Sequence, residues 1–242
     1  MCNDILIYYY MFIFYSVLGW CVEVLIKYTT DKRFINRGFL IGPYLPIYGF
    51  GTLLITLLLQ KYHDDPIALF LFSVAICSIL EYSTSYIFEK IFKARWWDYS
   101  EKKLNINGRI CLEFAIQFGI AGVLAIKIIN PVIIDILNNS NKNVSLIIGI
   151  IIFIIGIVDT IVSSKILLSI RRENKGIPKD NTEQLSKKVI RKIKALGWGQ
   201  KRLLSAFPKF KYISTKINET KNKAVKAISK KKNSLLKKKG DK

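Results

Sequence analysis

The 242-residue chain is poor in the side chains that most enzymes and metal sites use. It has one histidine, His63, and four cysteines, none of them at the close spacing of a structural zinc site. No G-x-x-x-x-G-K-[ST] motif occurs, so the chain carries no P-loop ATPase of its own. We therefore expect no metal and no cofactor, we assign no catalytic residue, and we favour a non-enzymatic role.

Acidic residues are scarce in the C-terminal third. Residues 171–242 hold 24 Lys and Arg against 5 Asp and Glu, whereas residues 1–170 hold 14 against 12. The chain is 51% hydrophobic, and these residues fall in long blocks. This uneven pattern predicts a transmembrane domain over residues 1–170 and a basic tail over residues 171–242.

Five apolar segments approach the roughly 20 residues that a helix needs to cross a bilayer. They are residues 5–26, 40–59, 67–92, 110–129 and 144–168. We therefore predict an all-α, polytopic membrane helix bundle of about five transmembrane helices, followed by a basic, partly helical tail.

Lys and Arg alternate between the connections of these spans. Residues 27–39 and 93–109 hold four and five of them, whereas residues 60–66 and 130–143 hold one each. Connections rich in Lys and Arg stay on the cytoplasmic side. The pattern predicts a multi-pass protein of the cell membrane with its N-terminus outside and its C-terminus in the cytoplasm.

The second span is irregular at its start, where the sequence reads NRGFLIGPYLPIYGFG. Proline removes a hydrogen-bond donor and disturbs the preceding turn, so Pro43 and Pro46 should break or kink this end. Two interpretations stay open. The glycines serve close helix packing, or the freed backbone groups line a site, as in the broken helices of transporters.

Two carboxylates, Glu81 and Asp159, lie near the middle of their spans. An ionisable group there costs about 2.5–3.5 kcal/mol, so each should carry a proton or meet a partner from another helix. Glu81, Ser85 and Glu89 recur at four-residue spacing and predict a polar stripe that faces the bundle. The stripe either forms interhelical hydrogen bonds that hold the bundle together or belongs to a functional site, and we favour the functional site.

Further polar residues should converge at the inner interface. They are Glu23, Asn36, Arg37, Glu89, Asp98, Asn105, Asn107, Arg109 and Glu113. Glu89 with Lys93 and Arg109 with Glu113 have the spacing of helical ion pairs, and Gly108 predicts a turn. Trp96, Trp97 and Tyr99 have the residue types of an interfacial anchor.

Three blocks carry a resemblance to a known family. NRGFLIGPYLPIYGFG, EYSTSYIFEKIFKARWWDYS and NINGRICLEF, in this order, resemble the ABC-transporter permease family called type IV, a group of small bacterial membrane proteins. The resemblance covers about residues 10–130 and plausibly the fifth span, and it leaves the tail outside. It implies a permease component in the bacterial cell membrane that needs a separate ATP-binding subunit. With so few spans, a homodimer or a partner permease is also expected.

The family motifs and the intramembrane carboxylates together give the predicted substrate-binding set. It comprises Glu23, Asn36, Arg37, Gly38, Glu81, Glu89, Trp96, Trp97, Asp98, Tyr99, Asn107, Arg109, Glu113 and Asp159. The motif match also includes Gly108.

Two other functions stay open. In the first, a membrane-embedded enzyme acts on a lipid or lipid-linked phosphate, with Asp98, Glu113 or Glu89 as general base and Arg37 and Arg109 as phosphate ligands.

In the second, the chain is a non-catalytic scaffold that interacts through its tail. Residues 182–196 fit an amphipathic helix on anionic lipid headgroups. RNA contact and a solvated, disordered extension are the alternatives for this tail.

Overall fold

A computed structural model of the chain describes residues 2–32, 34–92, 94–95, 97–175, 197–206 and 211–212. The α-helices of these residues are α1 (Cys2–Asp31), α2 (Pro46–Leu59), α3 (Pro66–Phe92), α4 (Leu112–Leu124), α5 (Asn130–Asn138), α6 (Lys142–Lys175) and α7 (Trp198–Ala206). Short strands are β1 (Ala94–Arg95), β2 (Asn105–Ile106), β3 (Ile110–Cys111) and β4 (Lys211–Tyr212). The pairs β1–β4 and β2–β3 are antiparallel. Trp96 and residues 182–196, for which the sequence makes predictions, lie outside the described residues.

Four stretches of the described residues are long and apolar enough to cross a membrane. They are Asp4–Thr30, Pro66–Ile91, Leu112–Asn138 and Lys142–Leu168. The chain is thus a multi-pass helical membrane protein, and the predicted all-α bundle is confirmed. Helix α2 is equally apolar but has only 14 residues, so the second of the expected spans is shorter than predicted.

The second span is short because its first part is not helical. Residues 34–45 form no helix, and α2 begins at Pro46, as the two prolines predict. The Leu45 N–H donates to the Ser16 carbonyl oxygen at 2.8 Å. Ser16 lies 15 residues before Asp31, the end of α1, which is about 22 Å along a helix. Residues 34–45, the re-entrant segment, therefore run back into the bundle along α1.

The connection between α3 and α4 also folds back. Residues 97–111, the hairpin loop, contain β2 and β3, and the Arg109 N–H closes their turn on the Ile106 carbonyl at 3.0 Å. Asn107 and Gly108 have φ angles of 53° and 66°, a region that asparagine and glycine adopt more readily than other residues. The predicted turn at Gly108 is confirmed. We call the end of the bundle that holds the re-entrant segment and the hairpin loop the loop end.

The fourth span is longer than predicted and reaches Asn138. A π-helical turn over Ala125–Ile129 joins α4 to α5, just before Pro131. Proline cannot donate a hydrogen bond four residues back, and a wider turn lets the helix continue past it. Asn130 follows directly and is buried, donating to Thr56 at 2.9 Å and accepting from Tyr15 at 2.8 Å. This polar contact ties α1, α2 and α5 together.

Helices α1 and α2 pack closely through glycine. A Cβ atom on Gly49 would lie 2.5 Å from the Ser16 hydroxyl and 2.6 Å from the Phe12 carbonyl oxygen. The second of these is backbone and cannot rotate away. Gly49 therefore sets the distance between the two helices.

We expect Gly49→Ala to lower the free energy of unfolding by about 1–3 kcal/mol, because the added methyl group forces the helices apart. Unfolding of the purified protein in mixed detergent micelles measures this. Gly156→Ala in α6 is the matched control, because no atom of the described residues lies within 4 Å of its added Cβ. Equal stability of the two variants would contradict this account of the packing.

Candidate functional site

Asp159 of α6 is the contact that holds the re-entrant segment. Its carboxylate accepts the Ile41 N–H at 2.9 Å, the Gly42 N–H at 2.8 Å and the Tyr44 hydroxyl at 2.6 Å. Ser163, one turn along α6, donates to it at 2.8 Å. A carboxylate has about four acceptor positions, and these four donors use them. Asp159 was predicted either to carry a proton or to meet a partner from another element. Its carboxylate thus meets hydrogen-bond donors of the re-entrant segment, which agrees with the second of these outcomes.

Asn36 satisfies a further backbone group of the re-entrant segment. Its amide donates to the Ile41 carbonyl at 2.7 Å and its oxygen accepts the Trp20 indole N–H at 2.7 Å. Gly38 has a φ of 99°, which glycine adopts without strain. Non-helical backbone at membrane depth needs such protein partners. Asn36 and Gly38 therefore position the segment.

A second group of polar side chains lies between the re-entrant segment and the hairpin loop, and we call it the polar cluster: Glu23, Arg37, Tyr48, Glu81 and Tyr99. Arg37 Nε lies 3.3 Å from Glu23 Oε2, and the Tyr48 hydroxyl donates to Glu23 Oε1 at 3.0 Å. The Tyr99 hydroxyl donates to Glu81 at 3.2 Å, and Glu81 is 7% exposed. α1, the re-entrant segment, α2, α3 and the hairpin loop each contribute one residue.

The electrostatics of the polar cluster favour protonated tyrosine. Burial raises the pKa of the Tyr99 hydroxyl, and the Glu81 and Glu23 carboxylates raise it further. Tyr99 therefore stays a hydrogen-bond donor at neutral pH. The cluster thus holds two carboxyl groups against one guanidinium, which is paired with Glu23.

Arg109 forms a separate buried ion pair. Its Nη2 lies 2.6 Å from Glu89 Oε2, and its Nη1 donates to Ser85 at 3.1 Å. Its guanidinium also lies 5.6 Å and 5.5 Å from the ring centres of Tyr82 and Tyr86, within range of a cation–π interaction. The Glu81–Ser85–Glu89 stripe thus faces the hairpin loop.

The predicted helical pair of Arg109 with Glu113 is wrong. Glu113 pairs with Lys102 at 2.6 Å, and both side chains are about half exposed. Arg109 precedes the first residue of α4, Leu112, so the i, i+4 geometry of a helix does not apply to it. Lys93, the partner predicted for Glu89, lies outside the described residues.

The remaining predicted residues shape the hairpin loop. Asp98 is 8% exposed, accepts from the backbone and side chain of Ser100, and lies close to Gly108. Asn107 donates to the Tyr82 hydroxyl at 3.0 Å. Trp97 donates to the Arg109 carbonyl at 3.0 Å and packs against a cluster that includes Leu167. Trp97 thus has a protein partner for its N–H.

Sequence reasoning missed three contributors to these contacts. Tyr44 and Tyr48 stand inside the first family block, and their type and position were the available signal. Arg202 of α7, which donates to the Phe39 carbonyl at 2.8 Å, had no signal, because it stands among many basic residues.

The model of one protein family, described as "Putative ABC-transporter type IV", matches residues 10–164. No curated protein and no solved structure matches the chain. The matched range contains the re-entrant segment, the polar cluster and the hairpin loop.

We expect Asp159→Asn to lower the free energy of unfolding by at least about 2 kcal/mol, because the new amide N–H₂ faces donors that need an acceptor. Unfolding in mixed micelles measures this. Asp135→Asn is the control, because Asp135 is exposed and accepts one side-chain bond, from Asn139 at 3.2 Å. An unchanged stability of Asp159→Asn would show that the carboxylate does not hold the segment.

Glu89→Gln should destabilise the protein by about 3–5 kcal/mol, because it leaves the buried Arg109 charge unpaired. The double change Glu89→Leu with Arg109→Met should recover much of this loss, which the same unfolding assay detects. Glu113→Gln breaks the exposed pair and should change stability little. Equal effects of Glu89→Gln and Glu113→Gln would argue against the buried pair.

Proposed function

The chain belongs to the family of type IV ABC-transporter-related membrane proteins, and on this ground we propose that it is a permease component whose ATPase is a separate subunit. The absence of a P-loop from its 242 residues supports the division into two subunits. We place it in the bacterial cell membrane, with the loop end in the cytoplasm, as its Lys and Arg distribution favours.

The polar cluster is the observation that carries this proposal. Glu23 lies eight residues before the end of α1, and Glu81 lies eleven before the end of α3. These separations correspond to about 12 Å and 16 Å along a helix. Glu81 thus lies near the middle of a hydrocarbon core about 30 Å thick, and Glu23 lies nearer its inner edge. Intramembrane carboxylates beside non-helical backbone are typical of transport pathways.

The cluster also suggests a substrate class. It holds two carboxylates, two tyrosine hydroxyls and one guanidinium, which is already paired with Glu23. Two carboxyl groups against one guanidinium favour a cationic or hydroxyl-rich substrate over an anion. We therefore assign substrate contact to Glu23, Arg37, Tyr48, Glu81 and Tyr99. The other predicted residues that the structure describes support the re-entrant segment and the hairpin loop.

The tip of the hairpin loop offers a docking surface for the ATP-binding subunit. Leu104 and Ile106 are 74% and 56% exposed at the loop end. Exposed apolar side chains on a connection between two spans suit contact with a partner protein. A homodimer, anionic lipid at the basic tail and RNA contact remain proposals that rest on the sequence alone.

The enzyme alternative has less support. A phosphate site needs Arg37 and Arg109 free to bind it, but each is paired with a glutamate. A phosphate ligand would have to displace Glu23 and Glu89, leaving buried negative charge. We rank this function below transport.

A photo-crosslinking amino acid at Leu104 or Ile106 should capture an ATP-binding protein in native membranes. The same amino acid at Asp64, which is fully exposed on the connection between α2 and α3, is the control. Mass spectrometry of the crosslinked species identifies the partner, and ATP hydrolysis by the co-purified pair checks it. Crosslinks to lipid or other proteins, without a P-loop protein at either loop position, would count against the permease role.

A further inference from the structure

Helix α7 covers the loop end of the bundle. Leu203 and Ala206 are 3% and 0% exposed. Leu203 packs with Leu167 of α6, and partly buried aromatic residues complete this contact: Phe39 of the re-entrant segment, Phe88 of α3 and Trp97 of the hairpin loop. Strand β4, a few residues later, pairs with β1. The C-terminal segment therefore contacts α3, α6, the re-entrant segment and the hairpin loop.

Two arginines link α7 to the re-entrant segment. Arg37, a member of the polar cluster, donates through Nη1 to the carbonyl oxygen of Ala206. Arg202 donates through Nη2 to the Phe39 carbonyl at 2.8 Å. The last carbonyls of a helix lack partners within the helix and carry partial negative charge, which favours a guanidinium there. The end of α7 thus lies directly against the polar cluster.

The contact between α7 and the bundle leaves some buried hydrogen-bond donors unpaired among the described residues. Nε and Nη1 of Arg202 are buried and have no hydrogen-bond partner among the described residues. Burial also lowers the pKa of Arg202, although Asp159 acts in the opposite direction. Unpaired buried donors of a charged group cost free energy each time α7 is seated. This cost suits a contact that opens and closes better than a permanent anchor.

We propose that α7 is a cap that closes the polar cluster against water at the loop end, and that its release opens the cluster. The proposal rests on the proposed function, in which the polar cluster binds substrate. In the capped state Arg37 is held by both Glu23 and Ala206. Release removes the Ala206 contact and the apolar cover of Leu203 together, so that a solute from this side reaches Glu23 and Glu81.

A disulfide between α6 and α7 tests the cap. A Cβ on Gly199 would lie 3.3 Å from Cγ1 and 3.6 Å from Cγ2 of Ile166, and both atoms are bonded to the Ile166 Cβ, so the two Cβ atoms lie within about 5 Å, close to the separation in disulfides. The variant Ile166→Cys with Gly199→Cys is made in the full chain after its four native cysteines are replaced. Oxidation should lock α7 in place. If the disulfide does not form in membranes, α7 is not seated on α6 and the proposal fails.

The readout is chemical labelling of carboxylates by a water-soluble carbodiimide with an amine, quantified for each peptide by mass spectrometry. Glu23 and Glu81 should be labelled severalfold more slowly in the oxidised protein than after reduction. The exposed Glu113 should react equally in both states. Leu203→Asp should speed labelling at Glu23 severalfold with normal labelling at Glu113. Equal rates at Glu23 in the locked and reduced states would overturn the cap.

This labelling needs no ATPase partner, so its outcome is separate from that of the crosslinking experiment. A cap that controls labelling without an ATP-binding partner would leave a gated polar cluster with a role other than permease. If crosslinking captures an ATP-binding partner but the disulfide does not change labelling, the permease role stands and the cap proposal fails.

Discussion

The four hydrogen bonds that Asp159 accepts are the constraint on which the rest of the loop end depends. Residues 34–45 enter the bundle without helical structure, and their amides cannot stay unpaired at that depth. The carboxylate pairs the amides of Ile41 and Gly42 and fixes the Tyr44 hydroxyl beside them. This placement sets where α2 begins, and with it the position of Tyr48 next to Glu23.

The hairpin loop follows the same physical rule by a different route. Its polar groups meet side chains of α3, with Tyr99 on Glu81, Asn107 on Tyr82 and Arg109 on Glu89. Along the loop, these partners lie progressively closer to the C-terminal end of α3. The re-entrant segment and the hairpin loop therefore meet around Glu23 and Glu81. Straight helices joined by simple loops would not produce this arrangement.

Much of this arrangement can be read from the sequence, because its causes are local. Long apolar runs predict the spans, Pro43 and Pro46 predict the break before α2, and Asn107 with Gly108 predicts the turn. The partner of Arg109 was not predictable in the same way. Spacing suggested Glu113, but the choice depends on whether the residues before Leu112 are helical, and they form a hairpin. The hydrogen bonds between α7 and the re-entrant segment join residues more than 150 positions apart, which no local pattern indicates.

Charge balance explains why the polar cluster differs from its neighbours. Asp159 has four donors, and the Arg109 charge is matched by Glu89. In the polar cluster the guanidinium of Arg37 pairs with Glu23, and Glu81 accepts from a tyrosine that burial keeps protonated. A tyrosine hydroxyl stabilises a carboxylate but does not neutralise it. Glu81 therefore depends on Tyr99, and the cluster lies against the end of a helix whose arginine, Arg202, is incompletely paired among the described residues. In the proposed cap, this helix keeps the cluster from water until it is released.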